Sequence, residues 1–453
     1  RYAVEDLRAY LSDEAYVRYK AKVEVALATV FANRGLLKRE LCDEIAAAAT
    51  NLTAEEVDAE EQRTKHDIRA LVNVLQRKVS TPARPFVHLG ATSYDIVDTA
   101  NALRYKDAVL KVIIPDMLVL ERTLIALAWR EKDTLQIGRT HGQHAEPITF
   151  GFALAQYLNR WGTQIIKTAD AAEQLVGKFS GAVGAYNATS VLLDDPEAFE
   201  TAVLTALNLK PAPISTQIVP PEPMTEFVHS IISSFSVLAN FCDDMRHLQR
   251  SEIHEVMERV AAEQVGSSTM PHKRNPIGFE NVKSLWKKFM PQIITMHLDQ
   301  ISEHQRDLTN SASQRYIQEL LVVFDYCVRR LTTISERLAV DREMMRTNFL
   351  RAQDTIIAEP LYILLSYYGH PDAHEYVRQM TVRAYNERKT LKELINADTE
   401  IQPYLDKFTD EQRKKAFNPE QYTGIAAEKT EKIAHYWNKE LSSRFPETWR
   451  GVF

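Results

Sequence analysis

Apolar residues recur at helical spacing through most of the chain. Val228, Ile231, Ile232, Phe235, Leu238, Phe241, Met245 and Leu248 follow one another at intervals that keep one face apolar, so the stretch after Pro220 and Pro223 reads as a helix of about six turns. Similar runs cover 109–129, interrupted at Pro115, and 150–175, 279–302 and 316–338. Five long amphipathic segments in mid-chain predict a helical bundle. No stretch alternates apolar and polar residues for more than a few positions, so no substantial strand is expected, and no internal repeat or low-complexity tract breaks the pattern. Shorter helices are expected over 14–34, 38–49 and 54–78, before a loop from Pro82 to Pro85. After Asp341 the elements shorten again, with polar turns at 369–372 and 396–403. The expectation is an all-α chain of three helical domains: 1–108, a central long five-helix bundle over 109–346, and 347–453.

Composition narrows this further. Only 14 of 453 residues are glycine, too few for the turns of an all-β fold or for Gly-rich phosphate loops. With 55 basic and 61 acidic residues the net charge is -6, which disfavours nucleic acid and membrane surfaces as partners and requires an anionic substrate to be met by local cations. Cys42, Cys242 and Cys327 lie far apart without metal or redox spacing, so free thiols in a reducing compartment are expected. Lys111, Asp116 and Glu121 interrupt the most apolar stretch, and the N-terminal residues hold no apolar run of the signal-peptide kind. The expected address is the cytoplasm.

The densest chemical signal is Val265-Gly266-Ser267-Ser268-Thr269-Met270-Pro271-His272-Lys273-Arg274-Asn275-Pro276. Its glycine, serines, prolines and asparagine cannot continue a helix, so it forms a loop rich in hydroxyls, free N–H groups and cations. Such a loop can bind a carboxylate and hold a serine over it; the plainer alternative is a solvated connection between helices.

The pattern Gly-Ser-Ser-x-Met-Pro-x-Lys-x-Asn-Pro resembles the signature of the fumarase/aspartase superfamily, whose members release fumarate by C–N or C–O cleavage. The segments 138–151 (Gly-Arg-Thr-His-Gly-Gln-His-Ala-Glu-Pro-Ile-Thr-Phe-Gly), 88–100 and 213–217 resemble the adenylosuccinate lyases within it. The loop's extension, 271–278 with Glu280, is closer to that family than to argininosuccinate lyases or fumarases. The resemblance covers roughly residues 1–350. It implies long-helix bundles packed into a tetramer core, active sites shared between subunits of a homotetramer, and no cofactor or metal. The implied substrates are adenylosuccinate and the succinylcarboxamide ribonucleotide of purine synthesis. Two alternatives stand beside it: another lyase of the superfamily, with argininosuccinate or carboxy-muconate-type substrates, and a catalytically silent helical scaffold.

Elimination of fumarate from a succinyl-amine needs a base for a proton beside a carboxylate, donors for the resulting dianion, and an acid for the leaving nitrogen. By resemblance Ser267 is the base and His141 the acid. Lys273 and the loop's N–H groups stabilise the serine alkoxide, without which a serine is too weak a base. His66 assists the acid or orients the succinyl group, flanked by Asp67 and by Lys65, which stands where relatives carry arginine and so lacks the planar fork. Thr92 and Ser93 match a pair that holds a succinyl carboxylate, Thr140 orients a carboxylate beside His141, and Gln217 contacts substrate. Ser268, Met270, Asn275 and Glu280 complete the loop's substrate side. Arg306, Ser311 and Arg315 match a spacing used on the nucleotide and its phosphate, which Arg1 and Tyr2 also reach. His88 is either a substrate contact or a structural hydrogen-bonding residue. His144 is expected to be buried or at an interface, and Arg329 and Arg330 to lie on solvated helix faces. Residues 218–223 are proline-rich where many relatives carry a basic run.

Overall fold

The computed structural model describes residues 2–259, 270 and 272–453. Arg1, Ser267 and Ser268 therefore lie outside the described residues. The chain is all-α apart from short strand pairs and divides into two compact units. The first comprises 1–118, 163–238 and 284–329, the second 119–162, 239–283 and 330–453.

The N-terminal helices are α1 (Glu5–Leu11), α2 (Asp13–Asn33), α3 (Arg39–Thr50), α4 (Ala54–Thr64) and α5 (Asp67–Lys78). The single helix expected over 54–78 is two. Lys65 turns into the left-handed region (φ 55°) and ends α4; His66, extended at φ -151°, starts α5 as its N-cap. The apolar period runs through this elbow because both helices bury the same face, so periodicity alone does not reveal it.

Helix α6 (Ser93–Ala108) passes through a π-helical turn, Val109–Ile113, into α7 (Ile114–Arg130). The helix expected from residue 109 thus begins at Ser93. The π turn lies directly before Pro115, where a proline ring lacks an N–H and crowds the preceding turn. The chain continues as α8 (Phe150–Glu173), α9 (Pro196–Ala206), α10 (Glu222–Leu248), α11 (Ile277–Phe289), α12 (Gln292–Leu298) and α13 (Ile317–Glu336). The run expected over 279–302 is broken at Pro291, again by proline. In the first unit Phe227, Ile231 and Phe235 of α10 and Leu320, Leu321 and Phe324 of α13 are fully buried, and the rings of Phe235 and Phe324 meet edge to face at 5.7 Å. Arg329 is not on a solvated face: it bridges Asp6 and Asp116, at 2.7 Å each, and Asp325 at 3.0 Å. Burial, with the Asp116 charge, pushes the Asp325 carboxyl well above its ordinary range, so the arginine is the counter-ion of a half-buried acidic cluster.

In the second unit the expectation of no substantial strand fails. Residues β1 (Leu135–Thr140) and β2 (Gln143–Thr149) form an antiparallel hairpin with Thr140 opposite Gln143. His141 and Gly142 are the two loop residues, both with positive φ (54° and 74°), the primed turn that matches strand twist. Helix α14 (Arg342–Leu350) and the turn after it pack on the hairpin, with Phe349, Ala352 and Ile356 clustered around Ile137 of β1. Beyond it, short helices bury Leu361, Leu365, Val377, Ile395 and Leu405 in a core of their own, and Ala426–Arg444 forms a long final helix. Among the described residues, no helix is long and apolar enough to cross a membrane, and all three cysteines are buried free thiols.

Candidate active site

The N-terminus of α6 is built before it can bind anything. Asp95, fully buried, accepts the Thr92 backbone N–H at 2.8 Å and the Gly181 N–H at 3.3 Å, and pairs with the equally buried Lys178. These contacts fix the turn that presents Thr92 and Ser93 at a helix start, where free N–H groups favour a carboxylate. One turn on, Asp98 accepts the Val219 N–H at 3.0 Å and so holds the proline-rich segment after Gln217. Burial raises the Asp98 pKa to about 6, against the Val219 N–H and the charges of Lys178 and Arg306. The 218–223 departure supplies no cation here, but it is anchored rather than loose.

At the α4–α5 elbow, His66 Nδ1 accepts the Arg69 N–H at 3.3 Å. In the neutral ring this leaves the proton on Nε2, which makes that edge a donor. Arg306 stacks its guanidinium 3.5 Å from the Tyr94 ring centroid and donates from Nη2 to the Tyr94 hydroxyl at 2.5 Å; its Nη1 is buried without a partner among the described residues.

These segments meet around one cavity of about 680 Å³ in the first unit. Its lining includes Lys65, His66, Asp67, Ser93, Gln217, Arg306, Ser311 and Arg315, together with Tyr16, Lys20 and Arg104. Five stretches of the chain therefore contribute to one pocket with both hydroxyls and cations. Thr92 adjoins it as the N-cap of α6. His88 does not line it: with φ 66° it is held against Glu24, Nδ1 to Oε1 at 2.7 Å and backbone N–H to Oε2 at 3.1 Å. Burial works to lower its pKa, but the Glu24 charge and hydrogen bond outweigh it and the net direction is up. Tyr2 packs edge to face on Tyr326 at 5.1 Å.

The second unit carries the other half of the expected machinery. Thr140 and His141 are exposed at the hairpin tip. The hairpin is anchored by Glu255, fully buried, which accepts from Arg139 (Nη2 to Oε1 2.5 Å, Nη1 to Oε2 3.2 Å), from Gln136 at 2.8 Å and from Asn348 at 2.9 Å. The same short segment, through Val256–Met257, pairs with Ala339–Val340 and leads towards the signature loop. On the far side of that loop, Met270 accepts the Lys273 N–H at 3.0 Å in a turn, Lys273 and Glu280 are exposed and Asn275 is half-buried. The loop's exit is fixed. Gln249 donates to the Arg274 carbonyl at 3.3 Å, and the Glu258 carboxylate accepts the Gly278 N–H at 2.9 Å. A Cβ at Gly278 would fall 2.6 Å from that carboxylate and 2.4 Å from the Ile334 side chain, so any larger residue would push the ends of both side chains aside. His144 is exposed on β2, which removes the buried alternative for it. A larger cavity of this unit, about 840 Å³, touches Arg139 and Gly142 but neither His141 nor Lys273.

Sequence reasoning missed Lys20, Arg104, Asp98 and Glu255. For Lys20 a signal existed: Lys20 and Glu24 sit four apart within the buried stripe of α2, where a charge is out of place unless it is used.

Comparison with known proteins agrees with the resemblance. Residues 4–290 match the lyase family and residues 302–423 the adenylosuccinate lyase C-terminal family. The chain is 34% identical to the adenylosuccinate lyase of Archaeoglobus fulgidus, over 97% of this chain and 98% of that one, and 36% identical to that of Pyrococcus abyssi, over 96% of each. The fold is shared with 3-carboxy-cis,cis-muconate lactonizing enzyme from Pseudomonas putida, at a TM-score of 0.83 and 25% identity, covering 97% of this chain and 98% of that one. The chain belongs to the adenylosuccinate lyase family of the fumarase/aspartase superfamily, a family of enzymes.

Proposed function

We propose that the protein removes fumarate from adenylosuccinate to leave AMP, and from the succinylcarboxamide ribonucleotide (SAICAR) to leave AICAR, as a cytoplasmic enzyme of purine nucleotide biosynthesis. In this reading Ser267 takes the proton from the succinyl carbon beside one carboxylate, and electrons flow through that carbon as the C–N bond breaks. His141 delivers a proton to the nitrogen side of the product. Lys273 and the loop N–H groups hold the serine as an alkoxide; Thr92, Ser93, Thr140 and Gln217 hold the carboxylates; Arg306, Ser311 and Arg315 hold the phosphate. His66, a donor through Nε2, orients the succinyl group.

The observation that carries this reading is the convergence of Ser93, Gln217, Arg306, Ser311 and Arg315, from segments far apart in sequence, on one 680 Å³ pocket, a set suited to a ligand with several separate anionic groups. A muconate-type substrate needs carboxylate sites but no phosphate site, so the arginines favour the nucleotide. The chain is read as three domains, 1–108, 109–346 and 347–453, with the separate apolar core of residues 357–408 supporting the last. A homotetramer with shared sites is supported by apolar side chains left in solvent on and beside α12, Ile294 at 60%, Leu298 at 64% and Ile301 at 76% exposure. The test is ultraviolet detection of fumarate from adenylosuccinate beside argininosuccinate, with light scattering for the assembly: release from the first substrate alone supports the reading, and a monomer at micromolar concentration removes the shared site.

A further inference from the structure

One wall of the pocket is made by residues outside the short motifs named above, and it holds two buried cations. Lys20 of α2 and Arg104 of α6 are 4% and 3% exposed, and both line the cavity. Both rest on the same ring, with Lys20 Nζ 4.2 Å and the Arg104 guanidinium carbon 4.1 Å from the centroid of Tyr16. A tyrosine face attracts a cation but leaves its charge uncompensated.

Their other partners do not neutralise them. Arg104 donates from Nε to Asn101 Oδ1 at 2.9 Å, and from Nη2 to the Tyr105 hydroxyl at 2.9 Å and Gln318 Oε1 at 3.0 Å, all uncharged groups. Nη1 makes no hydrogen bond among the described residues. Lys20 has one ion-pair partner, Asp67, whose Oδ2 is 3.7 Å away; Asp58 and Glu61 line the same cavity and act on it from further off. Burial lowers the Lys20 pKa; Asp67 and Glu61 oppose this, and Arg104 adds to it, so the two cations feel each other. Two desolvated cations border this cavity; the carboxylates that act on Lys20, from Asp67, Glu61 and Asp58, include one within ion-pair reach of it and none that accepts a hydrogen bond from Arg104, so an anion in the cavity would complete the group.

Position selects the anion. Gln318 receives Arg104, and the Gln314 carbonyl receives the Tyr105 hydroxyl at 3.5 Å, so Arg104 is tied to the segment that carries Ser311 and Arg315. Ser93 starts the same helix, and at about 1.5 Å per residue Arg104 stands about 16 Å further along it. A succinyl group held at Ser93 cannot reach that far; the distal end of a nucleotide can.

The geometry points to Lys20, Arg104 and Tyr16 as an additional phosphate subsite beside Ser311 and Arg315, one that selects the monophosphorylated substrate over its nucleoside. It rests on the nucleotide reading given above.

The test is calorimetric titration of AMP, inorganic phosphate and fumarate into the intact wild-type protein, Lys20→Met and Arg104→Gln, beside Michaelis constants for adenylosuccinate and its dephosphorylated nucleoside. Each substitution is expected to weaken AMP and phosphate by about tenfold or more, leave fumarate binding unchanged, and narrow the preference for the phosphorylated substrate. Lys20→Met keeps an unbranched apolar stem on Tyr16, so it decides the matter if Arg104→Gln does not fold. A folded Lys20→Met that binds AMP as tightly as wild type overturns the subsite. Wild type that releases fumarate while the variants bind AMP normally leaves the reaction standing and removes the subsite. Wild type that binds AMP through Lys20 but releases no fumarate does the reverse.

Discussion

Arg139 grips Glu255 through both of its terminal nitrogens, at 2.5 and 3.2 Å, and the carboxylate it holds is fully buried. One residue pair thus ties the strand that leads to His141 to the segment that leads towards the signature loop. Gln136 and Asn348 occupy the remaining acceptor positions of Glu255, so the junction has no slack.

Glu255→Gln is therefore expected to destabilise the protein by about 2 to 3 kcal/mol, because a partly buried guanidinium loses its charge partner while the side-chain volume stays the same. Urea denaturation measures it. Turnover should fall with the hairpin's order, since His141 sits at the tip of that hairpin, and a variant of wild-type stability would show the junction to be dispensable.

Asp98 gives a pH dependence with a definite sign. Its pKa rises from an ordinary 3.8 to about 6 in the folded chain, so between those values the folded state binds the extra proton. Its contribution to stability is then largest in acid and is lost as pH rises from about 4 to about 6, by on the order of 2 to 3 kcal/mol. Asp98→Asn keeps an oxygen for the Val219 N–H and removes the titration. The slope of unfolding free energy against pH should flatten in that window; an unchanged slope would assign the titration to another group.

Arg315→Ala and Arg306→Ala should each weaken nucleotide binding by about 2 to 4 kcal/mol, through loss of a charge-assisted contact to phosphate, with lysine rescuing only part. Michaelis constants for adenylosuccinate report this. An unchanged value for Arg315→Ala would move the phosphate site elsewhere on the pocket.

Much of the fold was legible because long apolar periods survive in any context: α8, α10 and α13 begin and end within a few residues of the boundaries their spacing implies. The hairpin was not legible. Its turn is His-Gly rather than Asn-Gly, and β2 contains Pro147, so the segment lacks both the usual turn dipeptide and clean alternation. The elbow at Lys65 was hidden because a lysine rarely takes a left-handed conformation, and sequence gives no sign that this one does. On the site, motif matching named the residues proposed to carry chemistry and passed over buried ones that hold their segments in place. Asp98 and Glu255 act by burial and by bonds to distant backbone or side chains, which only the folded chain displays. Arg329 shows the same limit, because a charged residue on a helix reads as solvated until the carboxylates of other helices are seen around it.

The claim that this chain is a fumarate-releasing lyase with Ser267 as base and His141 as acid is tested most directly by the rate of fumarate formation from adenylosuccinate. Wild type, Ser267→Ala, His141→Ala, the double variant and Ser268→Ala are followed by ultraviolet absorbance, with folding checked by circular dichroism. The account predicts a loss of at least about a thousandfold for either single change. The double variant should be far less impaired than the product of the two, because acid and base serve one elimination. Near wild-type turnover in folded Ser267→Ala would contradict it: with Ser268→Ala inactive the base would be the neighbouring serine, and with both serine variants active it would be a histidine.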